Sequence, residues 1–94
     1  MGSRVSIITN DLDRCIFCGR PREAIHHVYY GTANRRVSEA NGFIVPLCRD
    51  HHTGNGGVHF NKRLDLFLKR KCQEEFEKTH TRGEFLKLIG RNYL

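Results

Sequence analysis

The chain has 94 residues, 16 Lys and Arg against 10 Asp and Glu, a formal charge of +6, four cysteines and no tryptophan. That length makes one small domain with little apolar material for a core, so a staple is expected to supplement it. No apolar run approaches membrane length and no signal peptide is recognisable, which argues against a membrane protein and against a secreted disulfide scaffold. A reducing, cytoplasmic setting is the expectation, and the surplus of positive charge suits a polyanionic partner, nucleic acid first.

Taken in chain order, residues 1–13 are polar apart from Ile7-Ile8 and read as a loosely held arm or a short edge strand. Cys15-Ile16-Phe17-Cys18-Gly19 has the form of a metal knuckle, with Gly19 supplying the permissive backbone of such a turn. Residues 24–30, Ala-Ile-His-His-Val-Tyr-Tyr, are rich in β-branched and aromatic side chains and read as a strand closed by Gly31. Residues 32–42 are polar, basic and turn-like, and Asn41-Gly42 is a hairpin signal. Residues 43–48 read as a second strand, in which Pro46 implies an edge position or a bulge. A second knuckle, Cys48-Arg49-Asp50-His51, is followed by the Gly-rich loop 53–57.

Asn61 is a helix cap, and Leu64, Phe67, Leu68, Cys72 and Phe76 form an apolar stripe that carries the helix to about Lys78. Thr81-Arg82-Gly83-Glu84 has capping-box spacing and starts a second short helix ending near Gly90. Residues 1–94 thus divide into the arm 1–13, a zinc-stapled core 15–78 and a short C-terminal helix and tail 81–94, an α+β fold with a two-stranded hairpin.

Three of the four cysteines and five of the six histidines lie between Cys15 and His59. The two-residue spacings of Cys15/Cys18 and Cys48/His51 suit one tetrahedral zinc, closed by four protein ligands. Cys72 falls on the helix stripe and reads as a buried thiol. The remaining pair His26-His27, with His52 and His59, is a candidate second centre. Its division of labour is one ring as ligand of a divalent cation and one as general base, since imidazole titrates near neutrality.

This pattern resembles the HNH, or ββα-metal, nucleases in the form that carries a knuckle-bound zinc. The resemblance spans about residues 15–75 and rests on His26-His27, Asn41, the strand 43–48 and His52 directly after the knuckle. Ile25-His26-His27, Val45-Pro46-Leu47-Cys48, Gly57-Val58-His59 and the closing Gly90-Arg91-Asn92-Tyr93-Leu94 also look like small phage-encoded HNH proteins, some of whose relatives assist recombination. It implies that His26 binds a catalytic Mg2+, Mn2+ or similar ion, that His27 activates water and that Asn41 braces the loop orienting His27. In the family a helix begins at the second knuckle, whereas here the loop 53–57 intervenes. The last catalytic ligand is therefore His52 or His59, and His59 is preferred because His52 is chained to a zinc ligand.

The expected activity is hydrolysis of DNA phosphodiester bonds by a nicking or structure-directed endonuclease of low sequence specificity, acting as monomer or homodimer, in phage DNA metabolism or recombination inside a bacterial host, with a recombination or other phage or host protein as a further partner. Arg35, Arg36, Lys62, Arg63, Lys69, Arg70 and Lys71 are the candidate phosphate contacts. The alternative is a catalytically inactive zinc module that binds DNA or a protein.

Overall fold

The computed structural model describes residues 4–94. Two short antiparallel strands, β1 (Ala24–His27) and β2 (Ile44–Leu47), are joined by helix α1 (Thr32–Asn41). The helical turn α2 (Arg49–His52), the long helix α3 (Lys62–Phe76) and helix α4 (Arg82–Ile89) follow. The architecture is α+β, with a two-stranded sheet and four helices among the described residues. No helix is long and apolar enough to cross a membrane.

The segment read from sequence as turn-like is the ten-residue helix α1. Its polar, basic composition masks a narrow core-facing side, on which only Ser38 is fully buried and Val37 packs against the core. Ser38 Oγ is tied to Tyr29 in both directions, accepting from its N–H at 3.2 Å and donating to its carbonyl at 2.7 Å. Asn41-Gly42 does not form a hairpin turn. Gly42 ends α1 in the left-handed region at φ 78°, its N–H bonded to the Ser38 carbonyl, a helix C-cap that glycine adopts without strain.

The strands are shorter than expected, four residues each; one further cross-strand bond, Val28 N–H to the Phe43 carbonyl at 2.9 Å, precedes the turn into α1. Their register pairs Ala24 with Leu47, Ile25 with Pro46, His26 with Val45 and His27 with Ile44. With only two strands, both are edges, so Pro46 fits without a bulge, and its carbonyl accepts from Ile16 N–H at 3.0 Å to hold the first knuckle against β2. The arm is not a strand. It is tied at Ile7, whose N–H donates to the Gly42 carbonyl at 2.8 Å, and Ile7 and Ile8 pack on the core; residues 1–3 of the expected arm lie outside the described residues.

The core is built on aromatic edges. Tyr29 meets Phe43 at 5.2 Å and Phe85 at 5.5 Å between ring centroids, and Phe43 meets Phe76 at 5.7 Å. Leu68, Cys72 and Phe76 supply the buried face of α3, as the stripe predicts. Phe67, counted on the same stripe, is 49 % exposed and instead covers Phe17 of the first knuckle. Both caps read from sequence are present: Asn61 Oδ1 accepts from Arg63 and Leu64 N–H groups, and Thr81 and Glu84 form a reciprocal capping box. The fully buried Gln73 gives the sequence no such signal; it accepts from Tyr93 N–H at 2.8 Å and donates to Asn92 Oδ1 at 2.8 Å, pinning the C-terminal tail to α3.

Candidate metal centres

Cys15, Cys18, Cys48 and His51 converge, with every ligand atom within 4.8 Å of the others. Tetrahedral zinc with bonds of about 2.3 Å to sulfur and about 2.0 Å to nitrogen has S···S edges of about 3.8 Å and S···N edges of about 3.5 Å. The observed separations are 3.6 Å for Cys18 Sγ–Cys48 Sγ, 3.5 Å for Cys15 Sγ–His51 Nδ1 and 3.3 Å for Cys48 Sγ–His51 Nδ1. These are the edges of a ligand tetrahedron and far too long for a disulfide. All four cysteines are free thiols. Burial opposes the Cys15 thiolate, but the backbone N–H groups of Cys48, Phe17 and Cys18 outweigh it and draw the thiol below its ordinary pKa. Cys72 stays apart in the core, where burial pushes its thiol well up, as suits an inert side chain.

The second centre is assembled from three elements. His26 lies on β1, His52 closes α2, and His59 follows the Gly-rich loop. Their ligand nitrogens lie within 4.8 Å of one another, and the ring centroids are 5.6 Å apart for His26–His52 and His26–His59 and 4.9 Å for His52–His59. Both candidates for the last ligand, His52 and His59, face His26. The loop manages this by doubling back over α2. Val58 N–H donates to the His51 carbonyl at 2.8 Å, and a Cβ on Gly57 would stand 2.7 Å from the His51 carbonyl carbon. Only glycine permits that approach.

His26 is 5 % exposed, and its Nε2 is buried without a hydrogen-bond partner among the described residues. Burial first, then repulsion from His52, His59, His27 and Lys69, holds its pKa at about 3, so the ring is neutral and keeps a lone pair. A buried, neutral, unpartnered imidazole nitrogen facing two more imidazoles is what a metal ligand requires. Glu23 lies 3.3 Å from His52 Nδ1, the carboxylate–histidine arrangement that fixes a tautomer and leaves Nε2 for a cation.

His27 does not join the three. It lines the same cleft of about 210 Å3, together with Ile25, Tyr30 and Arg35, and its Nε2 lies 2.8 Å from Glu39 Oε1 on α1. Asn41, the brace that the resemblance implies for His27, makes no hydrogen bond to it among the described residues; its amide donates to the Val37 carbonyl within α1 at 2.9 Å. Glu39 gives no signal in a sequence whose residues 32–42 read as turn-like. A helix there puts Glu39 one turn beyond Arg35, on the side facing β1.

The candidate phosphate contacts divide. Arg35, Arg36, Lys62, Arg63, Arg70 and Lys71 are exposed. Arg35 borders the histidine cleft, and Lys62 lies with Arg91, Tyr30, Phe60 and His59 in an adjoining groove. Lys69 is not a free cation. It is 9 % exposed, paired with Asp65 at 2.8 Å and set 4.4 Å over the Tyr30 ring. Arg70 also has a structural tie, donating to the Tyr93 carbonyl at 3.0 Å.

No family profile, curated protein or solved structure matches the chain.

Proposed function

We propose that the chain is a metal-dependent DNA endonuclease of the HNH, or ββα-metal, type, with structural zinc in the Cys15, Cys18, Cys48 and His51 site. The observation that carries the reading is the convergence of His26, His52 and His59 on a cleft that His27 also lines. In support, β1 and β2 pair antiparallel with α1 inserted between them and α2 after them, and the histidines come from the first strand and from the helical turn.

Three imidazoles fit a divalent cation and leave positions open to substrate. Nitrogen donors suit zinc, nickel, cobalt or manganese better than magnesium, which prefers oxygen ligands. When bound, such an ion supplies Lewis-acid polarisation of a phosphate and neutralises charge on the leaving oxygen. The chain's own groups do the rest. His27 takes the proton from the attacking water as general base. Arg35 and Lys62 attract and align the phosphate backbone without reading sequence. The net charge of +6 supports a polyanionic substrate. One such site per chain cuts one strand, so the product from a monomer is a nick. A role in phage DNA metabolism or recombination, in a bacterial cytoplasm, belongs to the same proposal and rests on resemblance alone.

The test is incubation of the zinc-loaded chain with supercoiled plasmid and Mn2+, Ni2+, Co2+, Zn2+ or Mg2+, beside His27→Ala. Relaxed circles from the wild type and none from the variant support the reading. DNA bound but uncut under every metal leaves the inactive zinc module in its place.

A further inference from the structure

The general base assigned to His27 needs one ring nitrogen free and the ring held still. We infer that Glu39 is the positioning residue that fixes His27 with its proton on Nε2 and its lone pair on Nδ1, and that Arg4 holds Glu39 in place for this task. The inference deepens the nuclease reading and rests on it for the catalytic role of His27.

The geometry is a chain of three groups. Glu39 Oε1 is 2.8 Å from His27 Nε2 and accepts from Arg4 Nη2 at 2.6 Å, while Arg4 Nε donates to Glu39 Oε2 at 2.8 Å. The bidentate arginine, and after it the contact with His27, holds the carboxyl at about 2, so it is ionised at any working pH. An ionised carboxylate has no proton to give, so the proton between Glu39 and His27 sits on Nε2. Nδ1 has no hydrogen-bond partner among the described residues and is the nitrogen left to accept from water. A carboxylate behind a catalytic imidazole does this work in other hydrolases by fixing tautomer and orientation and stabilising the imidazolium as it forms.

Each member is separately anchored. Glu39 stands in the last turn of α1, and Arg4 reaches it from an arm fastened by the Ile7 N–H to the Gly42 carbonyl at 2.8 Å. A Cβ on Gly42 would stand 2.9 Å from the Val5 carbonyl oxygen, so the cap of α1 and the arm touch directly. The arm therefore belongs to the site. As a surface ion pair alone, Arg4–Glu39 contributes little to stability, so removing it should leave the fold standing.

The experiment uses the full zinc-loaded chain as wild type, Glu39→Ala, Glu39→Gln and Arg4→Ala. Long-range 1H–15N correlation of the His27 ring, at a pH where it is neutral, reads the tautomer, and cleavage kinetics read kcat and KM separately. The wild type should show the Nε2–H form, and Glu39→Ala a mixture of tautomers. Glu39→Ala should also lower kcat at least about 10-fold, with KM and metal content little changed. Glu39→Gln, which keeps a carbonyl acceptor, should recover part of both signals, and Arg4→Ala should show a smaller loss. If Glu39→Ala fails to fold, Glu39→Gln and Arg4→Ala carry the same readouts. An unchanged tautomer and unchanged kcat in the folded variants overturn the inference. If the wild type cuts nothing but its Nε2–H form is lost in Glu39→Ala, the hold of Glu39 on His27 stands and the nuclease reading falls.

Discussion

His51 and His52 are sequence neighbours that serve different centres. His51 Nδ1 lies 3.3 Å from Cys48 Sγ, while the His52 ring lies 5.6 Å from that of His26. Successive residues on a helix point roughly 100° apart, so the single turn α2 can send one ring to each side. The Cys3His group is thereby bolted to the histidine cleft through one peptide bond, and the geometry of the second centre depends on the integrity of the first.

The first expectation concerns the staple. Mass spectrometry of the native chain should find one tightly held zinc, and Cys15→Ala or Cys48→Ala should abolish cooperative unfolding. Structural zinc contributes on the order of 10 kcal/mol to folding in domains of this kind. A chain that unfolds at the same temperature in strong chelator and reductant would remove the role assigned to these four residues.

The second centre should behave as a unit of three. His26→Ala, His52→Ala and His59→Ala should each weaken binding of a transition-metal ion by 10-fold or more in calorimetry, with the first zinc retained. Equal importance of His52 and His59 is the specific outcome to look for. A variant of either one that binds metal and cuts as well as the wild type would reduce the centre to two ligands.

His27→Ala should lower kcat by about 100- to 10,000-fold, the range for loss of a general base, with the fold and DNA affinity nearly unchanged. Titrating the metal into this variant separates it from His26→Ala, which should lose the ion as well as the activity.

The cations should sort by their surroundings. Arg35→Ala and Lys62→Ala should each weaken DNA binding alike across sequences and lower the salt slope by about 1. Lys69→Ala should instead cost about 1 kcal/mol of stability, since it removes a largely buried pair with Asp65, and change the salt slope little. A large slope change for Lys69 alone would reverse that assignment.

Gly57→Ala tests how the loop delivers His59. The added methyl would meet the His51 backbone, so the loop must shift, at a cost of about 1–3 kcal/mol. Weaker metal binding at the histidine centre, with the zinc content still one per chain, is the expected pattern.

The Cys3His set, both helix caps, the buried face of α3 and the candidacy of His26, His52 and His59 for a second cluster could be read from spacing and residue type. They are local signals: a knuckle needs two ligands two residues apart, a cap needs an acceptor before the first free N–H groups, and a buried helix face repeats at three and four. The sequence hid α1 because its core-facing residues are few and weakly apolar: only Ser38 is fully buried, with Val37 packed beside it against the core. Losing α1 hid Glu39, whose partners Arg4 and His27 are distant in sequence and brought together only by the C-cap at Gly42 and the fastened arm. Tertiary structure likewise decided that Lys69 is paired with Asp65 and not a free cation, and that both late histidines face His26. That last outcome turned on the loop returning over α2 through a contact only Gly57 allows, a long-range packing fact that no pattern of neighbours along the chain contains.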